Sequence, residues 1–146
     1  MIRVMIVEDE LAAMSYIVSL IRSKCIDVKI VGNAESGQEA IDILMHTQVD
    51  IVITDIQMAG INGIELAKWI NRSRPGILTL IISGHNNFEY AKDAFQAGVV
   101  EYLLKPIRPS EFAATMEKLA VQTRLIRREM RETWLSRVFT GDAEPG

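Results

Sequence analysis

"DIVITDIQMAG", running from Asp50 to Gly60, decides the fold. Ile51, Val52, Ile53 and Thr54 are all β-branched, which favours a strand, and an apolar run without alternation is the mark of a strand covered on both faces. The run ends on a carboxylate, Asp55. Gln57, Ala59 and Gly60 then read as a loop. A carboxylate at the end of a buried strand either opens the next turn or does chemistry, so the residues at the other strand ends become the question.

Working outward, the same unit recurs: a short β-branched run followed by a longer segment with helical spacing. "IRVMIV" from Ile2 precedes a helix expected over Glu10 to Lys24, with Leu11, Met14, Val18 and Ile21 on one stripe. "DVKIVGNA" is a second strand, and "ESGQEAIDILMHTQ" a second helix with Ile41, Leu44 and Met45 inward. After "DIVIT" come a helix from about Gly63 to Arg72, the breakers Pro75 and Gly76, and the apolar strand "ILTLIIS". "NNFEYAKDAFQAG" starts with Asn86 three residues before Glu89, a capping-box pattern, and stops at Gly98. "VEYLL" is the fifth strand, and Pro109 opens the last helix. Strands alternating with helices predict a parallel sheet with right-handed crossovers and helices on both faces. Such sheets bind ligands outside the carboxyl ends of their strands.

Composition narrows the class. At 146 residues the chain suits one domain that buries roughly 68% of its unfolded surface. A hydrophobic fraction of 49%, a charged fraction of 24% and a net charge of -3 are ordinary, and they give no general reason to expect nucleic-acid binding. The single Cys25 forms no internal disulfide, and His46 and His85 make no metal-ligand pattern with it. No segment has the run of about 20 apolar residues that a membrane span needs. A cytoplasmic protein is the expectation.

The strand ends carry a consistent set: Glu8 and Asp9 after the first strand, Asp55 after the third, Ser83 at the end of the fourth, and Tyr102 and Lys105 in and after the fifth. Each alone has a bland explanation, as a helix cap, a turn hydroxyl, a strand aromatic or a solvated lysine. Together they predict three carboxylates, a hydroxyl and an ammonium on one edge. Crowded like charges need a cation, and magnesium takes such oxygen ligands.

"IVEDE", "DIVITDIQM", "LIISG" and "EYLLKP" resemble the four signature segments of the response-regulator receiver domain, over Met1 to about Leu119. "NNFEYAKDAFQAGVVEYLLKPI" is most similar to receivers that precede an AraC-type (YesN-like) DNA-binding domain. The resemblance implies a flavodoxin-like, doubly wound (βα)5 three-layer sandwich, with five parallel strands in the order 2-1-3-4-5 and an extended C-terminal helix. It implies Asp55 as phosphoacceptor, with a sensor histidine kinase as phosphoryl donor. Glu8, Asp9, Asp55 and the backbone carbonyl of Gln57 would hold Mg2+, and Lys105 would contact the phosphoryl group. Ser83 and Tyr102 would be the switch pair, while Gln57 and His85 would tune the lifetime of the modification. The Lys105-Pro106 bond is expected to be cis, as in the family. Two departures stand out: Glu8 where aspartate is more usual, and Ala59 where proline is common, which leaves that loop without a fixed φ.

Helical composition continues past the domain. Phe112, Met116, Leu119, Thr123, Ile126 and Met130 alternate spacings of four and three, which predicts a seam for a parallel homodimer; the competing reading is a helix packed on its own domain or on a domain outside this chain. The expected division is a receiver at 1–120, a helical extension at 121–139 and a flexible tail at 140–146. DNA contact is expected only through a downstream domain outside this chain. Two rival functions fit the residues less well. A haloacid-dehalogenase-type phosphatase would need a second carboxylate where Gln57 stands. A phosphorylation-independent pseudo-receiver would not need the full acidic set and Lys105. A P-loop nucleotide switch lacks its G-x-x-x-x-G-K-[ST] motif. The chain is thus expected to catalyse only its own phosphoryl uptake and loss.

Overall fold

The computed structural model describes residues 1–140. Its elements are β1 Ile2–Val7, α1 Leu11–Lys24, β2 Val28–Ala34, α2 Gly37–Leu44, β3 Ile51–Thr54, α3 Gly63–Ser73, β4 Leu78–Ser83, α4 Phe88–Gln96, β5 Glu101–Leu104 and α5 Pro109–Thr140. The strands form one parallel sheet in the order β2-β1-β3-β4-β5, as the resemblance implies.

Period-two alternation divides the sheet residues between two cores. Val4, Ile6, Ile51, Ile53, Leu80 and Ile82 face α1 and α5, where Ile17, Leu20, Phe112 and Leu119 meet them. Met5, Val7 and Val52 face the opposite side, against Ala40 and Leu44 of α2 and Leu66 and Ile70 of α3. Ile81 shares that side with Ala94 of α4. Every residue of β3 and β4 is therefore buried, whereas the edge strands β2 and β5 are half-exposed. This explains the apolar run that first marked the fold.

Local details differ from the sequence-based expectation. On α1, Ile21 is buried and Met14 and Val18 pack half-buried against the core as expected, Ile17 and Leu20 are buried beside them, and of the expected stripe only Leu11 is exposed. Helix α2 is shorter than expected: Ser36 starts it by accepting from the Glu39 N–H at 3.1 Å, and it ends at Leu44 with Met45 outward. Asn87, not Asn86, caps α4, accepting from the Glu89 N–H at 2.8 Å. The tail expected at 140–146 lies outside the described residues except for Thr140, which is the last residue of α5.

The main correction concerns α5. Phe112, Met116, Leu119 and Thr123 are buried in their own domain, and Ile126 packs on the same core. Of the six expected seam residues only Met130 is exposed, so this face is not available as a dimer seam. A four-three spacing describes any helix stripe that packs on one partner, and here the partner is the sheet. The helix is also latched at the amino end of the sheet. The Arg127 guanidinium pairs with Asp50 and donates to the Met1 carbonyl at 3.1 Å, while Arg124 lies 3.7 Å from Asp27.

Candidate functional site

Strands β1, β3 and β5 deliver the site at their carboxyl ends. Lys105 is the centre of it: its Nζ lies 3.1 Å from Glu8 Oε1 and 3.4 Å from Asp55 Oδ2. The Lys105-Pro106 peptide bond is cis. Asp55 is held from its own loop, since its Oδ1 accepts from the Ile56 N–H at 2.7 Å and its carbonyl accepts from the Thr54 hydroxyl at 2.9 Å. That loop is pressed against the start of α3. The Gly63 N–H donates to the Ile56 carbonyl at 2.8 Å, and a Cβ on Gly63 would sit 2.0 Å from the Asp55 carbonyl oxygen, so only glycine fits there.

Electrostatically the cluster holds two carboxylates for one ammonium. Burial pushes the Glu8 carboxyl above its ordinary value, with the Asp55 charge adding to the rise and Lys105 opposing it. Burial works against the charge on Lys105, but hydrogen bonds and attraction from Glu8 and Asp55 outweigh it and hold the ammonium above its ordinary value. Glu8 Oε2 is buried with no hydrogen-bond partner. An orphaned carboxylate oxygen beside a second carboxylate is the donor chemistry a hard divalent ion takes, so the residues fit magnesium. The expected ligand set is nevertheless not drawn together: Asp9 is exposed, and no group of three or more His, Cys, Asp or Glu side chains stands ready for a metal among the described residues. Asp9 and Gln57 instead line an open groove beside the Asp55 loop, together with Met58, Ala59 and Tyr90.

The remaining site residues lie on the β4–α4 side. Ser83 is fully buried, and its Oγ accepts from the His85 N–H at 3.0 Å. The Tyr102 hydroxyl donates to the His85 carbonyl at 3.0 Å, and the His85 ring lies 5.4 Å from that of Tyr90. His85 therefore ties Ser83 to Tyr102 through its backbone, a link that spacing in the sequence does not reveal. A Cβ placed on Gly84 would meet nothing within 4 Å, so the space beside that residue is open, while Ser83 itself is buried. The Ile56 N–H and the Gly63 contact are two further positioning features that sequence reasoning missed. A glycine at the first position of α3 was the one available signal.

Comparison with known proteins gives the family and the fold. The family model of the response regulator receiver domain matches residues 4–117. The transcriptional regulatory protein YesN of Bacillus subtilis is 32% identical over 122 residues, covering 84% of this chain and 33% of that protein. ZraR of Escherichia coli K12 is 30% identical over 125 residues, covering 86% of this chain and 28% of its own length. The chain thus spans about a third of the curated relatives it matches. Among solved structures, the response regulatory domain of mrkE from Klebsiella pneumoniae is 28% identical with a TM-score of 0.78, covering 85% of this chain and 99% of that one. A CheY-like receiver domain from Methanospirillum hungatei, 22% identical with a TM-score of 0.75 over 85% of this chain and 98% of that one, shares the fold. Signature segments, strand order and family match converge, and the chain belongs to the response regulator receiver domain family.

Proposed function

We propose that this chain is a phosphorylation-controlled switch in which Asp55 accepts a phosphoryl group from a sensor histidine kinase. The observation that carries the reading is the Lys105 ammonium set between Glu8 and Asp55. An Asp55 oxygen attacks phosphorus, the phosphorus–nitrogen bond of the donor breaks, and its electron pair leaves with the donor nitrogen. Glu8, Asp9, Asp55 and the Gln57 carbonyl would hold magnesium, which offsets charge on the phosphoryl oxygens when bound. Lys105 supplies a compact charge that can turn from Asp55 to a phosphoryl oxygen. Ser83 gives up its bond from the His85 N–H and donates its hydroxyl proton to the new group. Tyr102, tethered to the same residue, follows. Gln57 and His85 flank the site and govern how readily water reaches it.

The chain acts once on itself rather than turning over a substrate. It works in the cytoplasm, self-associates through α5, and has a transcriptional output, as the names of its relatives suggest. Incubation with acetyl phosphate and magnesium is expected to add one phosphoryl group, seen by intact mass, and Asp55→Asn is expected to add none. Equal labelling of that variant would overturn the assignment. No labelling of the native chain would favour a phosphorylation-independent interaction module.

A further inference from the structure

From Arg128 to Thr140 every residue of α5 is exposed, and none of this stretch has a place in the domain's core. Free helices of such length are marginal in water, so a partner surface is needed to hold it. The face turned away from the sheet carries Val121, Leu125, Arg128, Glu132, Leu135 and Phe139, all exposed. Their spacings are four, three, four, three and four, the average of a coiled-coil seam. Unlike the stripe through Phe112 and Leu119, this one has no partner in its own domain.

The stripe runs apolar, apolar, basic, acidic, apolar, apolar, so its reverse matches it in apolar positions and opposes it in charge. An antiparallel second copy would set Val121 opposite Phe139, Leu125 opposite Leu135 and Arg128 opposite Glu132. A parallel copy would oppose each residue to itself, bringing Arg128 against Arg128 and Glu132 against Glu132. Like charges across an interface select against that arrangement. Arg128 Nε already holds Glu132 Oε1 of its own helix at 3.0 Å, so antiparallel pairing closes a ring of four alternating charges. The surface is self-complementary about a two-fold axis.

We infer that two copies of this chain pair antiparallel through the outer face of α5, with the receiver domains at opposite ends of the paired helices. The inference rests on the reading that copies associate through this helix, and it changes both the face and the direction. Trp134 and Val138 lie off the stripe and take no part.

The test uses the full chain with Cys25→Ala as background. Sedimentation across a concentration series is expected to show a monomer–dimer equilibrium. Arg128→Glu alone and Glu132→Arg alone are each expected to weaken association on the order of tenfold, and an equimolar mixture of the two to restore it. For direction, Leu125→Cys mixed with Leu135→Cys is expected to give the mixed disulfide under mild oxidation, and Leu125→Cys alone to stay uncrosslinked. A monomer at all concentrations would overturn both the pairing and the reading beneath it. Ready disulfide formation by Leu125→Cys with itself would overturn the antiparallel direction while leaving self-association standing. Phosphoryl uptake at Asp55, measured separately, is independent of either result.

Discussion

Strand β3 has an aspartate at each end, and the two differ in what surrounds them. Asp50 precedes the strand and Asp55 follows it, and their side chains are 15% and 17% exposed, so burial does not distinguish them. Asp50 Oδ2 accepts from the Arg3 N–H at 2.8 Å and is paired with the Arg127 guanidinium, one cation to one carboxylate. Asp55 shares a single ammonium with Glu8, whose second oxygen has no partner. The amino end of the sheet is thus electrostatically closed and the carboxyl end is left one negative charge over. A balanced cluster serves to dock α5, while an unbalanced one leaves a buried carboxylate oxygen without a partner, which the cation of the proposed function would supply.

The largest expected effect comes from disturbing the backbone under Asp55. Gly63→Ala drives a Cβ against the Asp55 carbonyl oxygen, and the nearest atoms are backbone, which cannot turn aside. The start of α3 must move off the loop, at about 3 kcal/mol, and the Asp55 carboxylate moves with it. Urea denaturation is expected to show the loss of stability and acetyl phosphate labelling a slower uptake. A variant with native stability and native labelling would mean the loop and helix are not pressed together as described.

Asp50→Ala sharpens the contrast from the other end. It leaves the Arg3 N–H without its acceptor and the Arg127 guanidinium with only the Met1 carbonyl, and a loss of about 2 kcal/mol is expected for hydrogen bonds to a charged group in a largely buried position. Phosphoryl uptake at Asp55 is expected to be unchanged. If labelling fell in step with stability, the two ends would not be independent, and the docking of α5 would belong to the switch.

How much of this is legible before the structure follows the same division. The carboxyl-end set could be read because parallel strands bring their ends together, so Glu8, Asp55, Ser83, Tyr102 and Lys105 are located once the strands are. Asp9 shows the limit: its place in the chain follows from the strand, but its exposure follows from where the loop turns. The amino-end cluster was not legible, because Arg127 and Asp50 are brought together only by the angle at which α5 leaves the domain. The same ambiguity misassigned the α5 stripe, since spacing reveals a buried face without saying what buries it. Asn86 and Asn87 are chemically equivalent caps, and only backbone geometry chooses between them.

The smallest expected effect tests the charge imbalance itself through pH. Burial raises the Glu8 carboxyl, so the folded state binds its proton more tightly than the unfolded chain does, whose value is near 4.5. The stability this contributes is fully present below about pH 4.5 and is lost as pH rises through the higher folded value. Glu8→Gln carries no such proton and is expected to flatten that part of the stability profile, by less than the loss from Asp50→Ala. Chemical denaturation at a series of pH values, with divalent ions chelated, makes the comparison. Adding magnesium is expected to reverse the slope in the native chain, because the ionised carboxylate then has a partner, and to leave Glu8→Gln less affected. A native profile that matched Glu8→Gln with and without magnesium would show that the carboxyl end is as closed as the amino end, and the distinction between the two aspartates of β3 would have to rest on something other than charge.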